Sequence, residues 1–226
     1  MTNQNKIVNL IKESSENKRE YKLYNISIWI KDSLPKNIRI ENIISSLQER
    51  LPRHTLGHVD IIYIGQFDHL KSRQVNSSYM DASIYVTNEQ DNEGDIIDDI
   101  VHEIAHSLEE KYNYEIYSDD QIRDEFLRKR KRMKRVLSFQ GVETETQDFF
   151  NTEYSIEFDK YLYKDTGYET LHRLVGRIFN SPYAATSLRE YFANGFEAYY
   201  LGNRERLLKI SPLLFAKIKE IDEIGE

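Results

Sequence analysis

Apolar residues follow two different periods along this chain. Over the first ninety residues they come in short alternating runs: Ile26, Ile28 and Ile30 against Ser27 and Trp29 within Tyr21 to Ile30, then Val59 to Ile64 within His58 to Gly65, then Ala82-Ser83-Ile84-Tyr85-Val86-Thr87. A period of two marks a strand with one buried face, so three strands are expected. Between the first two, Ile40, Ile43, Ile44, Leu47 and Leu51 recur at helical spacing, from a start near Pro35 to a stop at Pro52. Strand, helix, strand builds half of a small mixed sheet. Residues 1 to 20 read as a short helix with a polar end. Polar residues dominate from Gln66 to Asp81, and no element is placed there.

From Gly94 onward the period changes to that of a helix. Ile96, Ile100, Ile104 and Leu108 recur every four residues, widened by Ile97, Val101 and Ala105, with Asp95 as the expected N-cap and Asp98 and Asp99 in the first turn. Helical spacing returns over Asp119 to Phe139 (Ile122, Phe126, Met133, Leu137), Thr170 to Asn180, Ser187 to Leu201, and Arg204 to Ile224 with a break at Ser211-Pro212. Phe149, Phe150, Tyr154, Phe158, Tyr161 and Tyr163 read as core packing. The expected fold is α+β: an N-terminal α/β subdomain over residues 1–93, then a mainly helical part over 94–226, forming one domain overall. No internal repeat or low-complexity linker interrupts it.

Composition narrows the function. With 39% hydrophobic and 31% charged residues over 226 positions, no apolar run approaches the roughly 18 residues of a membrane span. The net charge of -7 argues against nucleic-acid binding by the whole surface. One stretch runs the other way: seven of the eight residues from Arg128 to Arg135 are cations, a pattern able to grip phosphates or an acidic partner. The preferred reading is the solvated face of an amphipathic helix, with Asp119, Asp120, Asp124 and Glu125 just ahead of it. The chain has no cysteine, so any metal must be held by nitrogen and oxygen. The N-terminus lacks a segment of signal-peptide type, which reads as cytoplasmic, with export or delivery as a toxin-like effector left open.

The helix after Gly94 carries His102-Glu103-Ile104-Ala105-His106. Residues four apart stand on one face of a helix, so both imidazoles reach one ion, and a glutamate between them is placed to hold a water on it and take its proton. This is the spacing of a zinc hydrolase. Zinc there needs a third protein ligand. A histidine six residues after the second is absent, since position 112 is Tyr112. The candidates are Glu190, Glu197 and His172; Glu190 has a competing role, because Ser187-x-x-Glu190 is a capping box. Gly195 is expected to let its helix approach the metal helix closely.

Tyr183, followed seven residues later by Glu190-Tyr191-Phe192-Ala193-x-Gly195-Phe196, resembles the zinc endopeptidases related to the catalytic domain of anthrax lethal factor, which include the Pro-Pro endopeptidases. The resemblance runs from about Ala82 to Ile221. It implies a zincin-like fold, zinc bound by His102, His106 and Glu190, Glu103 as general base, and Tyr183 as the donor to the oxyanion. It also implies peptide-bond cleavage; the strand Ala82 to Thr87, delivered just ahead of the metal helix, is itself expected to be the edge to which an extended peptide adds by main-chain hydrogen bonds. The sequence departs from lethal factor at Asn194, where that enzyme has a carboxylate, and in a longer span between His106 and Glu190. An alternative class is a binding module whose basic helix, Arg128 to Arg135, docks on nucleic acid or an acidic protein, with zinc only structural.

Overall fold

The computed structural model describes residues 19–224. The chain is α+β and divides into two compact units, residues 1–107 and 108–226. The helix expected over residues 1 to 20 lies outside the described residues, apart from Arg19 and Glu20, which open the first strand.

In the first unit, the apolar stretch Tyr21 to Ile30 is a hairpin rather than one strand. β1 (Arg19–Leu23) and β2 (Ile26–Ile30) pair antiparallel about Tyr24, whose φ of 54° lets the chain reverse. α1 (Ile40–Arg50) buries Ile40, Ile43 and Leu47 and stops ahead of Pro52. β3 (Ile61–Ile64) follows, then α2 (Asp68–Arg73), β4 (Ser77–Met80) and β5 (Ser83–Val86). The strand order is β1-β2-β3-β5-β4, parallel in the middle and antiparallel at both ends. Register sets the core: Ile28, Ile62 and Ile84 stand in one row and Ile30, Ile64 and Val86 in the next, all buried. The opposite face carries Trp29, Tyr63 and Tyr85, the two tyrosines stacked at 5.2 Å.

This topology corrects one expectation. The strand over Ala82 to Thr87 exists as β5, but it is paired on both sides, with β3 and with β4. The edge belongs to β4, from the polar stretch where no element was placed. Asp81 and Ala82, at φ 50° and 56°, form the two-residue turn that folds β4 back onto β5. Four residues of Ser-Ser-Tyr-Met carry too little hydrophobic alternation to announce a strand.

α3 (Glu93–Lys111) is the long helix after the sheet. It starts earlier than expected. Asn92, not Asp95, caps it, accepting the Asp95 N–H at 3.2 Å, so Gly94 lies inside the first turn. Glu93 at that start accepts from the Arg39 N–H and Asn42 Nδ2, both at 2.9 Å, which ties the helix start to α1. No helix among the described residues is long and apolar enough to cross a membrane.

The second unit is helical. α4 (Asn113–Tyr117) and α5 (Gln121–Phe139) are followed by an irregular stretch, α6 (Ile156–Lys160) with a π-helical continuation to Gly167, α7 (Tyr168–Val175), a 3-10 turn at Tyr183–Ala185, α8 (Leu188–Tyr200), α9 (Arg204–Ile210) and α10 (Pro212–Ile224). Phe149, Phe158 and Tyr161 pack edge to face as core, while Phe150, Tyr154 and Tyr163 are exposed.

α5 differs from a simple amphipathic helix. Two members of its basic run are buried. Lys129 Nζ donates to the Ile210 carbonyl at 2.6 Å and Ser211 Oγ at 2.9 Å, and also to the Ile178 carbonyl. Burial pushes its ammonium down to about 8. Arg130 lies with its guanidinium 3.8 Å from the Phe158 ring centroid and donates to the Asn151 carbonyl. One turn before Lys129, Glu125 accepts from Tyr191 Oη at 2.7 Å and from the Leu213 and Leu214 N–H groups at 3.0 and 3.2 Å, which closes the start of α10. These contacts fix the Ser211-Pro212 break against α5.

Gly195 also departs from expectation, because the helix it brings close is α10. A Cβ added at Gly195 would stand 2.4 Å from Leu214 Cδ2 and 3.2 Å from Ile218 Cδ1. Gly195→Ala is expected to cost about 1–2 kcal/mol net, overlap with α10 outweighing the roughly 1 kcal/mol that alanine gains in a helix. Urea denaturation measures this. Unchanged or higher stability would show that α10 gives way.

Candidate metal centre

The apolar stripe of α3 sets the rotation of the helix. Ile96, Ile100, Val101, Ile104, Ala105 and Leu108 are buried, which leaves His102 half-buried beside the stripe and His106 at 8% exposure. Four residues is a little over one turn, and the two imidazole centroids lie 4.8 Å apart at 81°.

Glu190 is the residue that completes the set. One potential ligand atom from each of His102, His106 and Glu190 lies within 4.8 Å of the other two, the one such group of three among the described residues. Around a tetrahedral ion with bonds of about 2.0–2.1 Å, ligand atoms stand roughly 3.4 Å apart, a spacing shorter than the 4.8 Å that bounds this group. Two imidazole nitrogens and one carboxylate oxygen suit a divalent first-row transition metal and leave a coordination position open. Of the other candidates, His172 is exposed on α7 and Glu197 lies two turns further along α8.

Glu190 sits in the first turn of α8, where Ser187 Oγ accepts its N–H at 3.2 Å. The serine half of the capping box is therefore made, and the glutamate side chain is nonetheless one of the triad. The flanking residue Arg189 donates from Nε to Glu109 Oε2 at 2.9 Å, and Glu109, on α3 three residues past His106, is 3% exposed. Tyr117 Oη also donates to Glu109. Burial, with the Glu109 carboxylate beside it, pushes the Tyr117 hydroxyl far above its usual range, so it stays a donor. Eighty residues separate Glu109 from Arg189, and no sequence signal links them.

Tyr183 opens the 3-10 turn ahead of α8 and is half-buried. Its carbonyl accepts from the Thr186 N–H at 2.9 Å and from Thr186 Oγ1 at 2.8 Å. Ser181 Oγ donates to Asn194 Oδ1 and accepts the Ala184 N–H at 3.1 Å. Asn194 thus tethers the turn that carries Tyr183.

Glu103 is 5% exposed and is held by the sheet edge. Ser77 Oγ donates to Oε1 and the Tyr79 N–H to Oε2, each at 2.6 Å. Each carboxylate oxygen keeps a second lone pair, so the group can still accept a proton while its plane is fixed. Ser77 and Tyr79 escaped the sequence reading because β4 itself did.

No family model, no characterised protein and no solved structure matches this chain. The site therefore rests on its geometry. Glu190→Ala is expected to weaken zinc binding by more than the roughly 10- to 100-fold typical when an outer-shell partner is removed, whereas Glu197→Ala leaves it unchanged. Metal titration with a chromophoric competitor separates the two, and the reverse order moves the third ligand along α8.

Proposed function

We propose that the chain is a zinc-dependent endopeptidase of the lethal factor-like kind. The observation that carries this reading is the triad His102, His106 and Glu190, with a glutamate on the helix of the two histidines that is hydrogen-bonded to the edge strand of a sheet. A purely structural metal site has no use for a carboxylate held in that way.

His102, His106 and Glu190 would hold zinc, which when bound would supply Lewis acidity to the reacting water and carbonyl. The chain's own groups do the rest. Glu103, its plane held by Ser77 Oγ and the Tyr79 N–H, takes a proton from the water as its oxygen bonds to the carbonyl carbon. It then passes that proton to the departing amide nitrogen as the C–N bond breaks. Tyr183 donates its hydroxyl to the carbonyl oxygen as negative charge builds there, an interaction stronger in the transition state than in the ground state. An extended peptide pairs with β4 through main-chain hydrogen bonds, which moves the substrate edge from β5 to β4.

Glu103→Gln is expected to retain zinc and the fold and to lose turnover by about 10²–10⁴. A diverse peptide library incubated with the zinc-loaded protein and read by mass spectrometry tests this against the variant. If no cleavage depends on Glu103, the peptidase reading fails.

Tyr183→Phe is expected to lower kcat by about 10² with zinc content and KM nearly unchanged, because phenylalanine keeps the ring and loses only the donor. Steady-state kinetics on a cleaved peptide decide it, and an unaltered kcat removes Tyr183 from the reaction.

A further inference from the structure

Among the described residues, the basic run of α5 is sorted by the fold into cations held in hydrogen bonds or ion pairs and cations that make no ion pair. Lys129 is buried with its ammonium on the Ile178 and Ile210 carbonyls and Ser211 Oγ, Arg130 is buried with Nη2 on the Asn151 carbonyl, and Lys134 pairs with Glu145 at 3.4 Å. Arg128 and Arg132, one turn apart on the same face, line a cavity of about 350 Å³ together with Arg177, which comes from the turn after α7. Ile178, Ile210, Pro212 and Leu213 form its apolar wall. None of the three guanidiniums makes an ion pair with a described residue. The one acid in the lining, Glu125, is already committed to Tyr191 and the two amides at the start of α10.

Arg128 and Arg132 are like charges four apart on one helix, an arrangement that destabilises it by a few tenths of a kcal/mol. The fold does not need them there, because α5 is anchored by Glu125, Lys129 and Arg130. An acidic protein overall, at net charge -7, gathers them at one hollow. We infer that this cavity binds an oligophosphate, a ligand with two or three linked phosphates, through Arg128, Arg132 and Arg177.

The class follows from shape and charge. Each guanidinium offers a planar fork of donors that matches phosphate oxygens in pairs, and three forks call for several anionic oxygens close together. The volume lies at the lower end of small-molecule sites, roughly 300–1,000 Å³. The wall of Ile210, Pro212 and Leu213 leaves room for an uncharged extension such as a nucleoside. The cavity lies wholly within residues 108–226.

The test uses inorganic tripolyphosphate titrated into the full chain by isothermal calorimetry at low and at physiological salt. Saturable binding is expected at both. Arg128→Ala, Arg132→Ala and Arg177→Ala should each weaken it by about tenfold or more, the factor for losing a charge-assisted hydrogen bond. Lys131→Ala and Arg135→Ala, in the same run but outside the cavity lining, should not. All five side chains are exposed, so the fold is retained, as circular dichroism would check. ATP in place of tripolyphosphate separates the sources: equal affinity assigns binding to the phosphates alone, and tighter binding adds the apolar wall, either result supporting the site. No saturation at millimolar tripolyphosphate overturns the proposal. So does equal weakening by all five variants, or a single-stranded oligonucleotide that binds more tightly and depends on Lys131 and Arg135 as well.

Discussion

The pitch of one helix governs the candidate centre. A residue advances about 100° around α3, so when the isoleucine stripe is buried, His102 and His106 must leave on one side and Glu103 on another. The histidines are two of the triad, and Glu103 meets the backbone of β4. Neither placement is adjustable alone. Turning the helix to improve one contact would expose Ile100 and Ile104, at about 25 cal/mol for each Å² of apolar surface returned to water.

The helical unit depends on a different device, a pair of buried charges one turn apart on α5. Burying an ion is costly unless its hydrogen bonds are met, and breaking such a set leaves the remaining partners stranded. Glu125 and Lys129 meet that condition by taking complementary groups from one place, the α9–α10 junction: Glu125 accepts amides at the start of α10, and Lys129 donates to the carbonyl that ends α9 and to Ser211. The interruption at Pro212 is thereby a docking point. Gly195 on α8 then allows α10 to approach at the distance of a missing Cβ.

What could be read from the sequence was what periodicity and spacing encode. α3 and its histidines, the strand-helix-strand succession of β2, α1 and β3, and the break at Pro212 all follow from local pattern. Glu190 led three candidates from its residues alone, ahead of Glu197 and His172, and the resemblance at Tyr183 strengthened it. β4 was missed because a short polar strand is defined by its neighbour's backbone, which a sequence period does not record. Lys129 and Arg130 were expected in solvent because a run of like charges reads as a surface, and their carbonyl acceptors come from residues 21 to 81 positions away. Gly195 was read correctly as a close approach and assigned to the wrong neighbour, since a missing side chain says nothing about which helix fills the space.

The hydrogen bond from the Tyr79 N–H to Glu103 also bears on how the chain behaves at high concentration. An open sheet edge is a template on which another copy can add a strand and begin a fibril, and natural proteins blunt such edges with short length and polar side chains. β4 has both, and one of the donors that would seed a growing ladder is already occupied by a carboxylate from within the same chain. That carboxylate works as a gatekeeper. A partner strand would have to compete with this intramolecular acceptor for the Tyr79 N–H, so the edge resists indiscriminate pairing.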